Sequence, residues 1–212
     1  MPMALLNFLI IFACRDMNLI DTHCHLYLDE FAADITAVIE RARAEGVSRF
    51  YLPAIDSDVI ENMLQLEEKF HGACIAMMGL HPCSVKENYK EELSLAEQWL
   101  DKRKFAAIGE IGLDFYWDKT FTPQQYDAFK RQVSWAKQYK IPVVIHSRES
   151  TQACIDVIKE MQDADLTGIF HCFGGSLEEA QQYMAMKNSF YEQYLAKKRV
   201  ALLNIKKPDF SR

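Results

Sequence analysis

Short apolar runs alternate with amphipathic segments along most of this chain. Runs such as Pro142–Ile145 consist only of apolar residues, which is the pattern of parallel strands buried on both faces. The longer segments between them carry apolar residues at helical spacing. The clearest begins at Thr122, which we predict to be a helix N-cap in a Thr-x-x-Gln capping box with Gln125. Six strand–helix units follow one another, which predicts an α/β fold, either a doubly wound sheet or a (β/α) barrel.

The six predicted strands are Asn18–Thr22, Val47–Leu52, Ala73–Met78, Phe105–Ile108, Pro142–Ile145 and Gly168–Phe170. The first is expected to be a short buried strand. No Gly-x-Gly-x-x-Gly segment follows it, and the phosphate-binding loop pattern that ends in Gly-Lys-Ser/Thr does not occur in the sequence. Both observations argue against the nucleotide-binding versions of an α/β fold.

The two ends of the chain depart from this pattern. Residues 1–17 contain an apolar run that is too short to span a bilayer and that no Lys or Arg precedes. We interpret them as an apolar N-terminal extension, and we expect the (β/α) barrel domain to occupy residues 18–186. Residues 187–212 hold seven basic and two acidic side chains, so we predict an atypical basic tail there.

Composition and charge narrow the class of protein. Half of the 212 residues are hydrophobic and a quarter are charged, as in a soluble globular protein, so we expect no membrane association. The formal net charge of -6 excludes the global basic footprint of non-specific nucleic-acid binders, although metal ions could still hold a phosphate locally. The six cysteines are scattered and form no Cys-x-x-Cys pair, which favours reduced thiols in a cytoplasmic protein.

The strong metal-ligand side chains lie at or just beyond the carboxyl ends of the predicted strands. They are His23, His25, His81, Glu110, His146 and His171. Because the carboxyl ends of barrel strands form one rim, we expect these side chains to converge there. The four histidines other than His81, with Glu110 as a bridge, would hold two divalent ions that can share a hydroxide and clamp a phosphoryl group. The alternatives are a hydrogen-bonded structural role for each histidine and, for His81, turn chemistry in Gly-x-His-Pro.

Aromatic and basic side chains follow on the same rim. Phe115, Tyr116 and Trp117 follow Asp114 and would either stack on nucleobases or pack over the barrel mouth. Arg148 follows the fifth strand and would either hold a phosphate oxygen or form a helix-capping ion pair with a neighbour. The sequence alone leaves these alternatives open.

Five segments occur in the order and spacing of a known family. They are Leu19–Leu26 (LIDTHCHL), Gly79–Pro82 (GLHP), Ile108–Asp114 (IGEIGLD), Pro142–Arg148 (PVVIHSR) and Phe170–Gly175 (FHCFGG). Over residues 19–182 the chain therefore resembles the TatD-type metal-dependent deoxyribonucleases, a branch of the amidohydrolase-like metal hydrolases. The resemblance implies a TIM-type barrel that hydrolyses DNA phosphodiester bonds with a metal-bound hydroxide, often as a 3′ to 5′ exonuclease.

The resemblance also implies roles for individual residues. His23 and His25 would bind one metal ion, and His146 and His171 would serve the other. Glu110 would bridge the two ions and belong to the catalytic group.

Two further catalytic candidates match family positions near the substrate phosphate, His81 and Arg148. The implied partner is a DNA substrate, as single strands or 3′ ends. The implied cofactors are two divalent metal ions, Mg²⁺, Mn²⁺ or Zn²⁺. Imidazole-rich ligation favours zinc or manganese, whereas magnesium prefers oxygen ligands.

The resemblance ends after Gln182. Family members continue with a glycine-rich seventh strand and an eighth strand that ends in Glu-Thr-Asp, whose Asp is a metal ligand. Neither segment is found here, so we expect a barrel truncated after six strand–helix units. Two alternatives to a deoxyribonuclease therefore stay open. One is an incomplete metal-binding barrel fragment with weak or no activity, and the other is a metal hydrolase that acts on a small molecule.

Overall fold

The computed structural model of this protein describes residues 18–163 and 166–185, in which six strands alternate with six helices. The strands are β1 (Leu19–Asp21), β2 (Val47–Pro53), β3 (Cys74–Met77), β4 (Ile108–Asp114), β5 (Val143–Arg148) and β6 (Gly168–Phe170). The helices are α1 (Ile35–Ala44), α2 (Ile60–Lys69), α3 (Tyr89–Lys102), α4 (Thr122–Tyr139), α5 (Thr151–Met161) and α6 (Leu177–Ala185). Within these ranges, no helix combines the length and the apolar character needed to cross a membrane. The predicted extension (1–17) and basic tail (187–212) lie outside the described residues.

The strands are parallel and follow one another in space as they do in sequence. They form two three-stranded sheets, ordered β1-β2-β3 and β4-β5-β6. The sheets adjoin where Met78 pairs with Ile108, and the Gly109 N–H donates to the Met78 carbonyl oxygen over 2.9 Å. A helix lies in every connection between successive strands, as in a (β/α) barrel. The predicted α/β fold is confirmed, in the form of a partial barrel.

Apolar side chains from the strands and the helices meet in a core behind the sheets. Ile108, Ile111 and Ile145 of the strands are fully buried, as are Phe129 and Val133 of α4. Burial of such side chains is the main favourable term in folding. The apolar residues that predicted these strands therefore also anchor β4 and β5 in the core.

Gly112 brings β4 and β5 into close contact beside the candidate site. It pairs with His146 in the register of the two strands, and its φ is +143°. A Cβ atom there would lie 2.1 Å from the His146 carbonyl oxygen, so a side chain would force the strands apart. Because only glycine adopts this φ freely, Gly112 fixes the distance between β4 and the histidine of β5.

Two predictions about the strands are wrong in detail. Leu19 and Ile20 of β1 are 41% and 36% exposed, because β1 pairs only with β2 among the described residues. The fourth strand does not end at Ile108, and Glu110 lies inside it rather than beyond it, because β4 stays paired with β5 as far as Asp114.

The predicted capping box of α4 does not form. Thr122 is the first residue of the helix rather than its N-cap, and its hydroxyl donates to the Lys119 carbonyl oxygen over 2.8 Å. Gln125 is buried, and its side-chain oxygen accepts from the Asp114 N–H over 2.9 Å. A tertiary hydrogen bond to the end of β4 thus replaces the local one that the sequence pattern predicts.

Candidate metal centre

Glu110 lies at the centre of the candidate site. Its Oε2 atom lies 2.9 Å from His23 Nε2 and 3.7 Å from both His25 Nε2 and His81 Nε2. Its Oε1 atom lies 3.1 Å from His146 Nδ1. Burial alone would raise the pKa of Glu110, but hydrogen bonds and charge from the surrounding histidines hold that pKa well below its usual range. The site is therefore built around one buried, ionised carboxylate that faces four imidazoles.

Two groups of three side chains place their possible ligand atoms within 4.8 Å of one another. The groups are His23 with Glu110 and His171, and His81 with Glu110 and His146. The rings of His23 and His171 are stacked, with centroids 3.5 Å apart and 9° between the planes. These distances group the histidines differently from the pairing that the family resemblance implies. Glu110 belongs to both groups, which is the position that a bridging ligand requires.

His25 is oriented by Tyr27, two residues further along the chain. The Tyr27 hydroxyl donates to the Pro53 carbonyl oxygen, and it lies 2.8 Å from His25 Nδ1. Because the single hydroxyl proton goes to Pro53, His25 Nδ1 must donate to the Tyr27 oxygen. With Nδ1 engaged by Tyr27, the ring directs Nε2 towards Glu110, 3.7 Å from its Oε2 atom. Burial raises the pKa of Tyr27, so its hydroxyl stays protonated in this arrangement.

His146 is oriented by a second buried carboxylate, Asp114. Asp114 Oδ2 lies 2.8 Å from His146 Nε2, and Asp114 Oδ1 accepts from the backbone N–H groups of Tyr116 and Trp117, over 3.0 Å each. Burial opposes the charge on His146, but the hydrogen bonds to Glu110 and Asp114 outweigh it and raise the pKa of His146. One carboxylate thus links a candidate metal ligand to the aromatic segment that follows β4.

His81 has one ring nitrogen in a turn and the other in the site. Its Nδ1 atom accepts from the Cys83 N–H over 3.1 Å, and so caps the turn at Pro82–Ser84. Its Nε2 atom lies 3.3 Å from His146 Nδ1. Burial lowers the pKa of His81 to about 4, so the ring is neutral and carries its proton on Nε2. The turn chemistry considered for this residue therefore occurs, while a contact between His81 and a substrate stays a prediction.

Arg148 stacks on aromatic side chains instead of forming a helix-capping ion pair. Its guanidinium carbon lies 3.9 Å from the centroid of the Tyr116 ring and 5.1 Å from that of Trp117. No carboxylate of the described residues forms an ion pair with it. Phe115 packs against the core, whereas Tyr116 and Trp117 are exposed. Packing against the core therefore accounts for Phe115, while the stacking of Tyr116 and Trp117 on nucleobases stays a prediction.

The seven candidate residues line one cleft of about 890 Å³ at the carboxyl ends of the strands. They are His23, His25, His81, Glu110, His146, Arg148 and His171. This is the end of a (β/α) barrel at which active sites occur. Side chains from separate segments of the sequence therefore converge as expected, while their individual roles stay predictions.

The supporting roles of four residues were not predicted from the sequence. Tyr27 and Asp114 each form a hydrogen bond with a candidate ligand, and Gln125 accepts from the Asp114 N–H. The side-chain oxygen of Gln132 accepts from the Leu80 N–H over 2.7 Å, and its side-chain nitrogen donates to the Leu80 carbonyl oxygen over 3.1 Å. Glutamines 125 and 132 fall on the same face of α4 as its apolar residues, which is the one signal that could have marked them as buried.

A partial (β/α) barrel with a histidine–carboxylate cluster at the carboxyl ends of its strands has the architecture of the barrel metal hydrolases. The chain belongs to the family described as TatD related DNase, whose model matches residues 20–200. It is 35% identical over 190 residues to the uncharacterized metal-dependent hydrolase YabD of Bacillus subtilis, covering 90% of this chain and 72% of YabD. It is 29% identical over 165 residues to a protein of Erwinia tasmaniensis named 3′-5′ ssDNA/RNA exonuclease TatD, covering 78% of this chain and 64% of that protein.

The fold agrees with a solved structure of the same family. The crystal structure of YjjV, a TatD homologue from Escherichia coli K12, superposes with a TM-score of 0.72 and 34% sequence identity. The match covers 81% of this chain and 65% of YjjV. The chain thus spans about two thirds of the length of these relatives. The predicted TIM-type barrel, present here in part, and the predicted family are both confirmed.

Proposed function

We propose that this protein is a divalent-metal-dependent hydrolase of DNA phosphodiester bonds that removes nucleotides from the 3′ end of single strands. The observation that carries the proposal is the buried carboxylate of Glu110, which lies within 3.7 Å of ring nitrogens from four histidines. The family description and the name of the Erwinia relative support nucleic acid as the substrate class. The preference for single strands and the direction of cleavage from the 3′ end are also part of this proposal.

The side chains in the cleft fit a divalent ion. His23 Nδ1 is buried and has no hydrogen-bond partner among the described residues, although buried polar groups normally have one. Zinc and manganese bind readily to imidazole nitrogens and a shared carboxylate, whereas magnesium at the same site would take more of its ligands from water. We propose two ions, held by His23, His25, Glu110, His146 and His171. Such ions lower the pKa of bound water and neutralise phosphate charge.

We propose that His81 and Arg148 bind the scissile phosphate. The neutral His81 ring carries its proton on Nε2, which faces the cleft and can donate to a phosphate oxygen. Arg148 uses one face of its guanidinium to stack on Tyr116, which leaves the N–H edge free for two parallel hydrogen bonds to phosphate. We therefore assign substrate binding to these two side chains and metal binding to the other five candidates.

The thiols support a reducing compartment. All five cysteines of the described residues are free, and burial raises the pKa of Cys154 to about 12. Burial likewise raises the pKa of Cys83 to about 12, so neither thiol ionises readily. We propose that the protein works in the cytoplasm, where such thiols stay reduced.

Release of nucleotides from a single-stranded oligonucleotide tests this function. The oligonucleotide carries a 5′ label and is incubated with the protein and Mg²⁺ or Mn²⁺. We expect a ladder of products shortened from the 3′ end, and we expect Glu110→Gln and His146→Ala to abolish it. His71→Ala is the matched control, because His71 does not line the cleft. It lines a separate groove between α2 and α3.

Two results would contradict the proposal. One is nucleotide release that His146→Ala leaves unchanged. The other is metal binding with no cleavage of any oligonucleotide, which would favour the non-catalytic barrel fragment. Cleavage of small esters or amides in place of DNA would favour the small-molecule hydrolase.

A further inference from the structure

Two large aromatic side chains lie exposed beside the cleft. Tyr116 is 47% exposed and Trp117 is 65% exposed, and their ring centroids are 4.8 Å apart in an edge-to-face arrangement. Their backbone is fixed, since both N–H groups donate to the buried Asp114 carboxylate. The rings therefore project from a rigid turn. Their neighbour Phe115 packs against the core, whereas neither of these two rings does.

Arg148 connects these rings to the cleft. Its guanidinium lies over both rings, and its side chain lines the same cleft as Glu110 and His146. Its backbone is fixed as well. The Arg148 N–H donates to Ser150 Oγ, and the Arg148 carbonyl accepts from the Phe115 N–H. The aromatic pair and the arginine thus form one continuous surface that reaches the cleft of the candidate metal centre.

We propose that Tyr116, Trp117 and Arg148 form a base-stacking subsite for the nucleotide next to the phosphate that is cleaved. This inference rests on the proposed function. Every nucleobase has a flat π-face, so an exposed aromatic surface holds any base that is free to stack on it. The faces of a base inside a duplex are already covered by its neighbours. The subsite therefore selects unpaired nucleotides, and it does so with little preference among the four bases.

The direct test compares two substrates that differ only in their bases. One is a short oligothymidylate, and the other is an abasic oligomer with the same sugar–phosphate backbone. For wild-type protein we expect a clear preference in kcat/KM for the oligothymidylate. We expect Trp117→Ala to raise KM for the oligothymidylate about 5- to 150-fold, the equivalent of roughly 1–3 kcal/mol for one stacked base. In Trp117→Ala, the preference for the oligothymidylate over the abasic oligomer should fall by a similar factor. Trp117→Phe should retain part of this preference.

Leu95→Ala serves as the control, because it removes an exposed apolar side chain from α3, outside the residues that line the cleft. An unchanged KM in Trp117→Ala, with wild-type protein active, would overturn the subsite while the proposed function stands. If wild-type protein cleaves neither oligomer, the subsite is tested by binding instead. Oligothymidylate is added to the protein in EDTA, and the quenching of tryptophan fluorescence is measured. Quenching that Trp117→Phe removes supports the subsite, and its absence in wild-type protein overturns it.

Discussion

Replacing Tyr27 by phenylalanine removes a single oxygen atom that orients a candidate metal ligand. The Tyr27 ring is 6% exposed and packs in the core, so the phenylalanine ring can occupy the same space. What is lost is the hydroxyl that receives the His25 Nδ1 proton and donates to the Pro53 carbonyl oxygen. His25 can then adopt either tautomer, and only one of them presents a lone pair at Nε2.

The size of the effect follows from these two contacts. Loss of an outer hydrogen bond to a metal-binding histidine weakens metal binding by about 10- to 100-fold. At a metal concentration 100 times the wild-type Kd, wild-type protein gains about 2.7 kcal/mol of stability from binding. A variant whose Kd is 10 to 100 times higher gains only about 1.4 to 0.4 kcal/mol at the same concentration. The loss of two hydrogen bonds destabilises the metal-free protein by a further 1–3 kcal/mol or so.

Thermal denaturation with and without Mn²⁺ or Zn²⁺ separates the two contributions. We expect Tyr27→Phe to lower the metal-free Tm and, separately, to shrink the increase in Tm that the metal produces. Tyr139→Phe is the control, because it removes the hydroxyl at the end of α4 that donates to the exposed Asp101 of α3. A metal-induced increase in Tm equal to that of wild-type protein would refute the assigned tautomer and the role of His25 as a ligand.

Three further substitutions test other parts of the account. Asp114→Asn should weaken metal binding about 10- to 100-fold, because it removes the carboxylate that holds His146 Nε2; calorimetric titration with Zn²⁺ measures this. Gly112→Ala should destabilise the fold by more than about 3 kcal/mol in urea denaturation, since its Cβ would clash with the His146 carbonyl oxygen; a smaller loss would mean that β4 and β5 can move apart. Lys130→Ala breaks an exposed ion pair with Glu160 and should change stability by less than about 1 kcal/mol in the same assay.

The sequence predicted the number and order of the strands well, although β4 runs from Ile108 to Asp114 and shares only Ile108 with the prediction. Wholly apolar runs such as Pro142–Ile145 mark strands buried on both faces, and β5 begins within one residue of that prediction. Once the strands are placed, the histidines at their carboxyl ends must meet at one rim. This is why His146 and His171 could be assigned to a common site from spacing alone.

The remaining features depend on contacts between distant segments, which local patterns do not encode. The fourth strand was predicted to end at Ile108, yet Gly109 and Gly112 lie inside β4, where the lack of a side chain lets the strand approach its neighbour closely. Gln125 matched a capping box, but the buried Asp114 N–H offered a partner that water cannot replace. Tyr27 looks like one more apolar residue until the fold places Pro53 beside it.

Titration of the protein with Mn²⁺, followed by electron paramagnetic resonance, tests the central claim most directly. The claim is that histidines from separate strand ends and Glu110 together hold divalent cations. We predict saturable binding of up to two ions per chain that Glu110→Gln abolishes or weakens severely and His71→Ala leaves unchanged. Absence of saturable binding, or binding that Glu110→Gln does not alter, would contradict the claim.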